Sequence, residues 1–333
     1  MKRSTLRVVI MGASSGIGAA TAIAFARQGA DLVLGARGKE GLDEVARQCF
    51  QAGGRAETVV VDATDARAVD AFAREARSIL GTIDLWFSNV GAGVVGKYHD
   101  VPMADHRQVI ETNLITHMND AHAVLPIFLE QDHGIWVNMI SSGGYVAAPY
   151  AAAYSASKFG LRGFSEALRA ELGKRRHIHV CDVYPTFVDT PGFSHAANYT
   201  GAHLSYPPGA LAPETVADAV VKLAHSPRDT TVIGAPAAAM KATQLAPNLV
   251  AAGMNRFMDA WAKRAQRTRD TRGALYEPPH GASGVHADAS RLNQPRPQPK
   301  AQPSQPANKA LVAGAAVVAA AIGMQLLRKR ADQ

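Results

Sequence analysis

Seven short runs of Val, Ile and Leu, nearly unbroken in apolar character and separated by six segments of helical periodicity, constrain this chain more than any other feature. The runs are Leu6–Met11, Asp31–Leu34, Thr58–Val61, Ile83–Phe87, Ile135–Ile140, Ile178–Tyr184 and Thr231–Ile233. A strand with one wet face alternates polar and apolar residues, so unbroken runs imply burial on both faces, as in a parallel sheet covered by helices. The segments between them, Ile17–Gln28, Glu40–Gln51, Ala66–Leu80, Arg107–Leu129, Tyr154–Arg175 and Pro213–His225, would supply the covers. The expected fold class is α/β, a doubly wound parallel seven-stranded sheet with helices on both faces. One connection, Pro185–Ala212, is long for such a domain; with His195, Tyr199, His203 and Tyr206 among apolar residues it reads as a substrate lid.

Charge divides the chain. The formal total is +7, yet residues 1–234 carry 21 Lys/Arg against 23 Asp/Glu, whereas residues 235–333 carry 14 against 5. A near-neutral body excludes a basic groove for nucleic acid, and the tail lacks the interleaved aromatics of a base-stacking surface. A basic tail suits an anionic membrane surface. Cys49 and Cys181 form neither a C-x-x-C pair nor a disulfide ladder, which points to a reducing compartment. The apolar run after Met1-Lys2-Arg3 breaks at Gly12, too early for a signal peptide, so the catalytic body is expected in the cytoplasm. The twelve histidines show no ligand spacing, and no metal is expected.

Five segments follow from these patterns: a body at 1–235, a basic amphipathic helical extension at 236–277, a Pro/Gln-rich linker at 278–309, a candidate transmembrane helix at 310–327 and a basic tail at 328–333. In the extension Leu249, Val250, Met254, Phe257, Met258 and Trp261 recur at helical spacing, with Arg256, Lys263, Arg264, Arg267 and Arg269 filling the rest. Such a helix can pack on its own domain, on a partner subunit or on a membrane surface. Residues 310–327 are uncharged over 18 positions and end at Arg328-Lys329-Arg330, the minimum for a spanning helix, with Ala315, Ala319 and Gly323 as a small-residue stripe.

Directly after the first strand comes Gly12-Ala13-Ser14-Ser15-Gly16-Ile17-Gly18, opening into a helix. Glycines so placed let the chain turn tightly, bring backbone up to a pyrophosphate and let helix pack on strand. At the end of strand two, where an acid would accept the ribose 2′-hydroxyl of NAD, the chain has Ala36-Arg37. Arg37 can hold a 2′-phosphate by charge-assisted hydrogen bonds and Ser14 can add a hydroxyl, so NADP(H) is the expected cofactor.

The G-x-x-x-G-x-G spacing resembles the short-chain dehydrogenase/reductase family, whose core is Rossmann-like. The resemblance extends through Asp62, Ser88-Asn89-Val90-Gly91, Asn113, Ser141, Tyr154-x-x-x-Lys158 and Pro185 through Thr190, over roughly residues 5 to 235. The chain departs from the family's usual residues at Met11, Ser88, Val90 and Thr186. By this resemblance Gly12, Ser15, Gly16, Ile17 and Gly18 cradle the dinucleotide, Asp62 contacts the adenine, Asn89, Gly91, Tyr154 and Pro185 also bind the cofactor, and Thr190 with the backbone near Val188 clamps the nicotinamide carboxamide. Lys158 holds the nicotinamide ribose, and Asn113 anchors a water of the proton relay. The family also implies an oligomer.

Tyr154 and Lys158, four residues apart, share a helix face, and by the resemblance a serine thirteen residues upstream at a strand end, the family's usual spacing, selects Ser141 over Ser142. Carbonyl reduction needs a hydride donor, a proton donor and a group that polarises the oxygen. The nicotinamide gives the hydride. A nearby ammonium and an oxidised nicotinamide would lower the Tyr154 pKa and make it a general acid/base, with Ser141 aligning the substrate oxygen. The expectation is an NADP(H)-dependent oxidoreductase of a small-molecule carbonyl or alcohol, of lipophilic character and tethered to a membrane. The alternative is a non-catalytic NADP(H)-binding, membrane-tethered sensor or scaffold.

Overall fold

The computed structural model describes residues 5–204, 210–235, 237–279 and 284–287. Its strands are β1 (Arg7–Met11), β2 (Asp31–Ala36), β3 (Arg55–Val60), β4 (Leu85–Ser88), β5 (Val94–Val95), β6 (Gly134–Met139), β7 (Ile178–Pro185), β8 (Ala197–Asn198) and β9 (Thr230–Ile233). Seven of them form one sheet in the order β3-β2-β1-β4-β6-β7-β9, every neighbouring pair parallel. β5 and β8 form a small parallel pair outside it.

The helices are α1 (Gly16–Ala26), α2 (Lys39–Gln51), α3 (Ala66–Leu80), α4 (Met103–Ile110), α5 (Thr116–Gln131), α6 (Ala152–Leu172), α7 (Pro191–Ser194), α8 (Pro213–His225), α9 (Ala237–Ala242) and α10 (Pro247–Arg264). On β1, Val8 and Ile10 join a core with residues of α1, α2 and α8, whereas Val9 and Met11 join a second core with residues of α3 and α5. All four are fully buried, which is why this strand reads as an unbroken apolar run. From β1 the chain builds outward to β3, then crosses back to place β4 on the other side of β1. That reversal of winding opens a crevice at the carboxyl ends of β1 and β4, the place where open α/β sheets bind ligands.

Two elements differ from the sequence expectation. β3 begins at Arg55, three residues ahead of the apolar run, because it is an edge strand and its polar residues alternate into solvent. The expected helix Arg107–Leu129 begins at Met103 behind Pro102 and is interrupted at Glu111–Ile115 by a π-turn. The wider turn accommodates an extra residue, a distortion found mostly at functional sites; here it carries Asn113.

The extension does form helices, α9 and α10, and the chain then returns to the body. Thr271 pairs antiparallel with Asn198 and Arg267 with Ala202, and Pro278, Pro279 and residues 284–287 also lie against the body, although composition placed them in a linker. These bonds are between backbone groups, which leave no mark on composition. Among the described residues no helix is long and apolar enough to cross a membrane. The candidate span at 310–327, most of the linker and Tyr206 lie outside the described residues.

Candidate active site

A cleft of about 630 Å³ runs along the carboxyl edge of the sheet. One end is built by the turn after β1. Gly12 N–H bonds the Gly35 carbonyl at 2.7 Å, and a Cβ on Gly18 would lie 2.1 Å from the Gly12 oxygen, so only glycine permits α1 to start this close to the strand. Ser14, Ser15, Gly16 and Ile17 line the cleft, whereas Gly18 is buried behind them. Asn89 follows β4 and donates from Nδ2 to the Gly12 carbonyl at 3.3 Å, tying the two strand ends together. Gly91, Pro185, Val188 and Thr190 also border the cleft. Asp62 lies on its rim, its carboxylate accepting from the Thr64 N–H at 2.9 Å and hydroxyl at 2.8 Å.

Arg37 lies on the cleft at the end of β2, with its guanidinium already engaged. Nη1 donates to the Tyr276 carbonyl at 2.6 Å and Nη2 to that of Ala274 at 3.5 Å, both in the C-terminal extension.

At the other end Ser141, Tyr154 and Lys158 converge. Ser141 ends the β6 segment with φ 133°, a conformation L-residues rarely adopt, costing roughly 1–3 kcal/mol. Its hydroxyl accepts from the Gly143 N–H at 3.1 Å and lies on the Tyr154 side of that turn, near enough to the phenol to influence its titration. Gly143 is fitted to that phenol: a Cβ there would stand 3.0 Å from Tyr154 Cε1. Lys158, one turn along α6, is buried with its ammonium 5.8 Å from the Tyr154 ring centre and 3.2 Å from the Met139 carbonyl, to which it donates.

The expected lowering of the Tyr154 pKa combined the Lys158 ammonium with an oxidised nicotinamide; among the protein's own groups burial dominates. It raises Tyr154, with nearby Ser141 pulling partly the other way, and it lowers Lys158 to about 7. Desolvation of each charged form outweighs their mutual attraction at this separation.

Asn113 does not line the cleft but is fully buried one layer behind it. Its amide clips the turn after Gly91, donating to the Ala92 carbonyl at 2.9 Å and accepting from the Ala92 N–H at 2.7 Å, and it also donates to Ser157 Oγ at 3.2 Å. One turn on, His117 is buried between the Val90 carbonyl at 2.7 Å and the Asn138 side chain at 2.6 Å, its pKa lowered to about 4 by burial and by Lys158. Nothing in the sequence singles out His117 beyond its four-residue step from Asn113.

A second feature without a sequence signal is the carboxylate of Asp105. It is fully buried and accepts from the phenols of Tyr199 and, at 2.7 Å, Tyr276, with Arg272 at 3.8 Å. α4, the Pro185–Ala212 connection and the extension meet at this one residue. Met254 and Met258 of α10 line the cleft, so part of the amphipathic helix's apolar face turns toward its own domain. Among the described residues no group of three His, Cys, Asp or Glu could hold a metal ion, and both cysteines are buried and unpaired, their thiols raised to about 12 by burial.

Residues 7–199 match the family model described as short chain dehydrogenase. The ketoacyl reductase HetN of a Nostoc species is 30% identical over 65% of this chain and 74% of its own. The uncharacterized oxidoreductase YxnA of Bacillus subtilis is 31% identical over 84% of this chain and 79% of its own. Among solved structures, the alcohol dehydrogenase of Thermococcus sibiricus complexed with 5-hydroxy-NADP superposes with a TM-score of 0.60 at 25% identity, covering 68% of this chain and 96% of that one.

Proposed function

The chain belongs to the short-chain dehydrogenase/reductase family, and from that premise we propose that it transfers a hydride between NADP(H) and a lipophilic carbonyl/alcohol pair, with Tyr154 as general acid and base. It is an oxidoreductase of CH–OH or C=O groups. The observation that carries the finer reading is the convergence of Ser141, Tyr154 and Lys158 on one cleft with the glycine turn, the Ser141 hydroxyl and the Tyr154 ring both flanking Gly143 and the Lys158 ammonium 5.8 Å from that ring's centre.

The residues present fit a dinucleotide phosphate at the opposite end. α1 offers its first-turn amides beside a turn where no side chain intrudes, and Arg37 takes the position at which an acid would repel a 2′-phosphate. The Thermococcus sibiricus relative was solved with an NADP derivative, which favours the same choice here. When bound, NADPH supplies the hydride.

This chain's own groups then manage the proton. Ser141 donates to the substrate oxygen and aligns it with the phenol; Tyr154 gives that oxygen its proton as the carbonyl becomes an alcohol. Lys158 stabilises the phenolate left behind, and with a pKa of about 7 it passes a proton readily at neutral pH. Asn113 fixes the turn at Ala92, next to Gly91, where a Cβ would lie 4.0 Å from Lys158 Nζ.

Val146, Phe187, Leu204, Met254 and Met258 give the substrate end an apolar wall, which favours a ketone or alcohol with a large hydrocarbon part. The test is NADPH oxidation against lipid ketones, steroids and small aldehydes. Turnover strongest with bulky apolar ketones is expected, and no nicotinamide-dependent turnover with any carbonyl or alcohol would end the proposal. A membrane tether at 310–327 predicts that removing residues 310–333 frees the enzyme from membranes, and the oligomer is tested by sedimentation.

A further inference from the structure

The extension beyond α10 is fastened across the cleft at several independent points. Asn198 and Thr271 exchange backbone bonds at 2.8 and 3.0 Å, His203 N–H reaches the Gln266 carbonyl at 2.7 Å, and Ala274 N–H reaches that of His195 at 2.8 Å. The buried Asp105 carboxylate holds Tyr276 from the other side at 2.7 Å. Further on, Val285 is 9% exposed within the core around α1 and α8, and His286 Nε2 lies 2.9 Å from Glu214 Oε1. These anchors aim two backbone oxygens at the dinucleotide end: Tyr276 O accepts from Arg37 Nη1 at 2.6 Å, and Gly284 O accepts from Gly16 N–H at 3.0 Å.

The choice of donors is telling. Gly16 is the first residue of α1, so its N–H has no acceptor inside the helix and points where the positive end of the helix dipole favours an anion. Arg37 is the cation at the end of β2. If NADP(H) binds as proposed above, these two groups are its contacts for the pyrophosphate and the 2′-phosphate. A peptide carbonyl presents a partial negative charge to the same donors, and being part of the chain it reaches them without the entropy loss of a free ligand.

We propose that the extension and the dinucleotide compete for Gly16 and Arg37: the Tyr276 and Gly284 carbonyls occupy the positions of phosphate oxygens, and NADP(H) binds by displacing them. The proposal rests on the NADP(H) reading of the cleft. Its consequence is quantitative. If the closed extension blocks the phosphate positions, the apparent affinity falls by the fraction of molecules that are open, so loosening an anchor remote from the cofactor tightens binding. The displaced carbonyls and the Gly16 amide exchange partners without any covalent step.

The experiment titrates NADPH into the full-length chain and into His286→Ala, which removes the link to Glu214 and touches neither the phosphate donors nor the catalytic groups. A second variant adds Val285→Ser. Expected is a dissociation constant lower by about three- to tenfold in the single variant and lower again in the double, with kcat unchanged. In the unaltered protein, amide hydrogen exchange over residues 274–279 and 284–287 is expected to speed up when NADPH is added. Affinity unchanged or weakened in both variants, or slower exchange over those residues with NADPH, would overturn competition and make the extension a bystander or a roof over bound cofactor. Absence of NADPH binding by the wild type and both variants would remove the cofactor reading itself, and competition with it.

Discussion

The Asn113 amide and the Ala92 backbone satisfy each other in both directions, at 2.9 Å and 2.7 Å, across a π-turn that exists nowhere else among the described residues. Removing the amide strands a part-buried N–H and carbonyl at Ala92, next to Gly91, where a Cβ would lie 4.0 Å from Lys158 Nζ. Asn113→Ala is therefore expected to lose about 2–3 kcal/mol of stability, since each unsatisfied group costs roughly 1–3 kcal/mol. Urea unfolding measures this. The catalytic effect is expected in kcat with little change in KM, because the clip positions Lys158 and the phenol beside it without holding substrate; an unchanged unfolding midpoint would speak against the clip.

Among the described residues Tyr154 is the phenol that lines the cleft with its ring beside Lys158 and Ser141 close to it. Tyr154→Phe keeps the ring that Gly143 is fitted to and removes only the proton donor. A positioned general acid contributes roughly 10²–10⁴-fold, so turnover should fall by at least that much. NADPH affinity, measured by titration, should stay within about twofold, because the phosphate contacts lie at the far end of the cleft. Turnover within tenfold of wild type would take the proton role away from Tyr154.

The parallel sheet was legible because burial on both faces forces unbroken apolar runs, and Val8–Met11 show that burial directly. That Tyr154 and Lys158 share a helix face was legible because a four-residue step is a local quantity, whereas Ser141 was picked out only by the family's usual spacing. Other features were written in no local pattern. The π-turn depends on where Asn113 finds Ala92, 21 residues away, and Asp105 is an ordinary helix-start acid until Tyr199 and Tyr276 arrive. Arg37 illustrates the limit best: its charge and place were readable, but its present partner is a carbonyl 239 residues distant, held there by backbone bonds that any sequence could make.

That double engagement shapes the prediction for cofactor choice. If Arg37 holds the 2′-phosphate as proposed, Arg37→Ala removes a charge-assisted bond worth roughly 1.5–3 kcal/mol, or about 10–100-fold in NADPH affinity. It also frees the Tyr276 carbonyl, which eases entry of NADH and NADPH alike. The ratio of the two affinities is therefore the informative quantity, and it should fall by more than tenfold from wild type to variant in parallel titrations. An unchanged ratio would mean that Arg37 serves the extension alone.

A last prediction concerns Asp120, buried on α5 beneath the carboxyl end of β4. Neither carboxylate oxygen meets a partner at good hydrogen-bond geometry, and burial raises its pKa from 3.8 to about 7, with Ser88 and Trp86 near enough to pull it partly back. The folded protein thus retains a proton that the unfolded chain releases near pH 4. Its favourable contribution is complete below that pH and is lost as pH climbs to about 7, so this residue makes stability fall across the window. Asp120→Asn cannot titrate. Relative to wild type it should gain stability steadily between pH 4 and 8, by on the order of 2–4 kcal/mol over the range. His117, lowered to about 4, pushes the opposite way and Asp182, raised to about 6, pushes the same way, but both are present in each chain and cancel in the difference. Urea midpoints of the two proteins at pH 5 and pH 8 decide it: a difference that does not widen with pH would mean that Asp120 is ionised in the fold and finds a cation or water that compensates it.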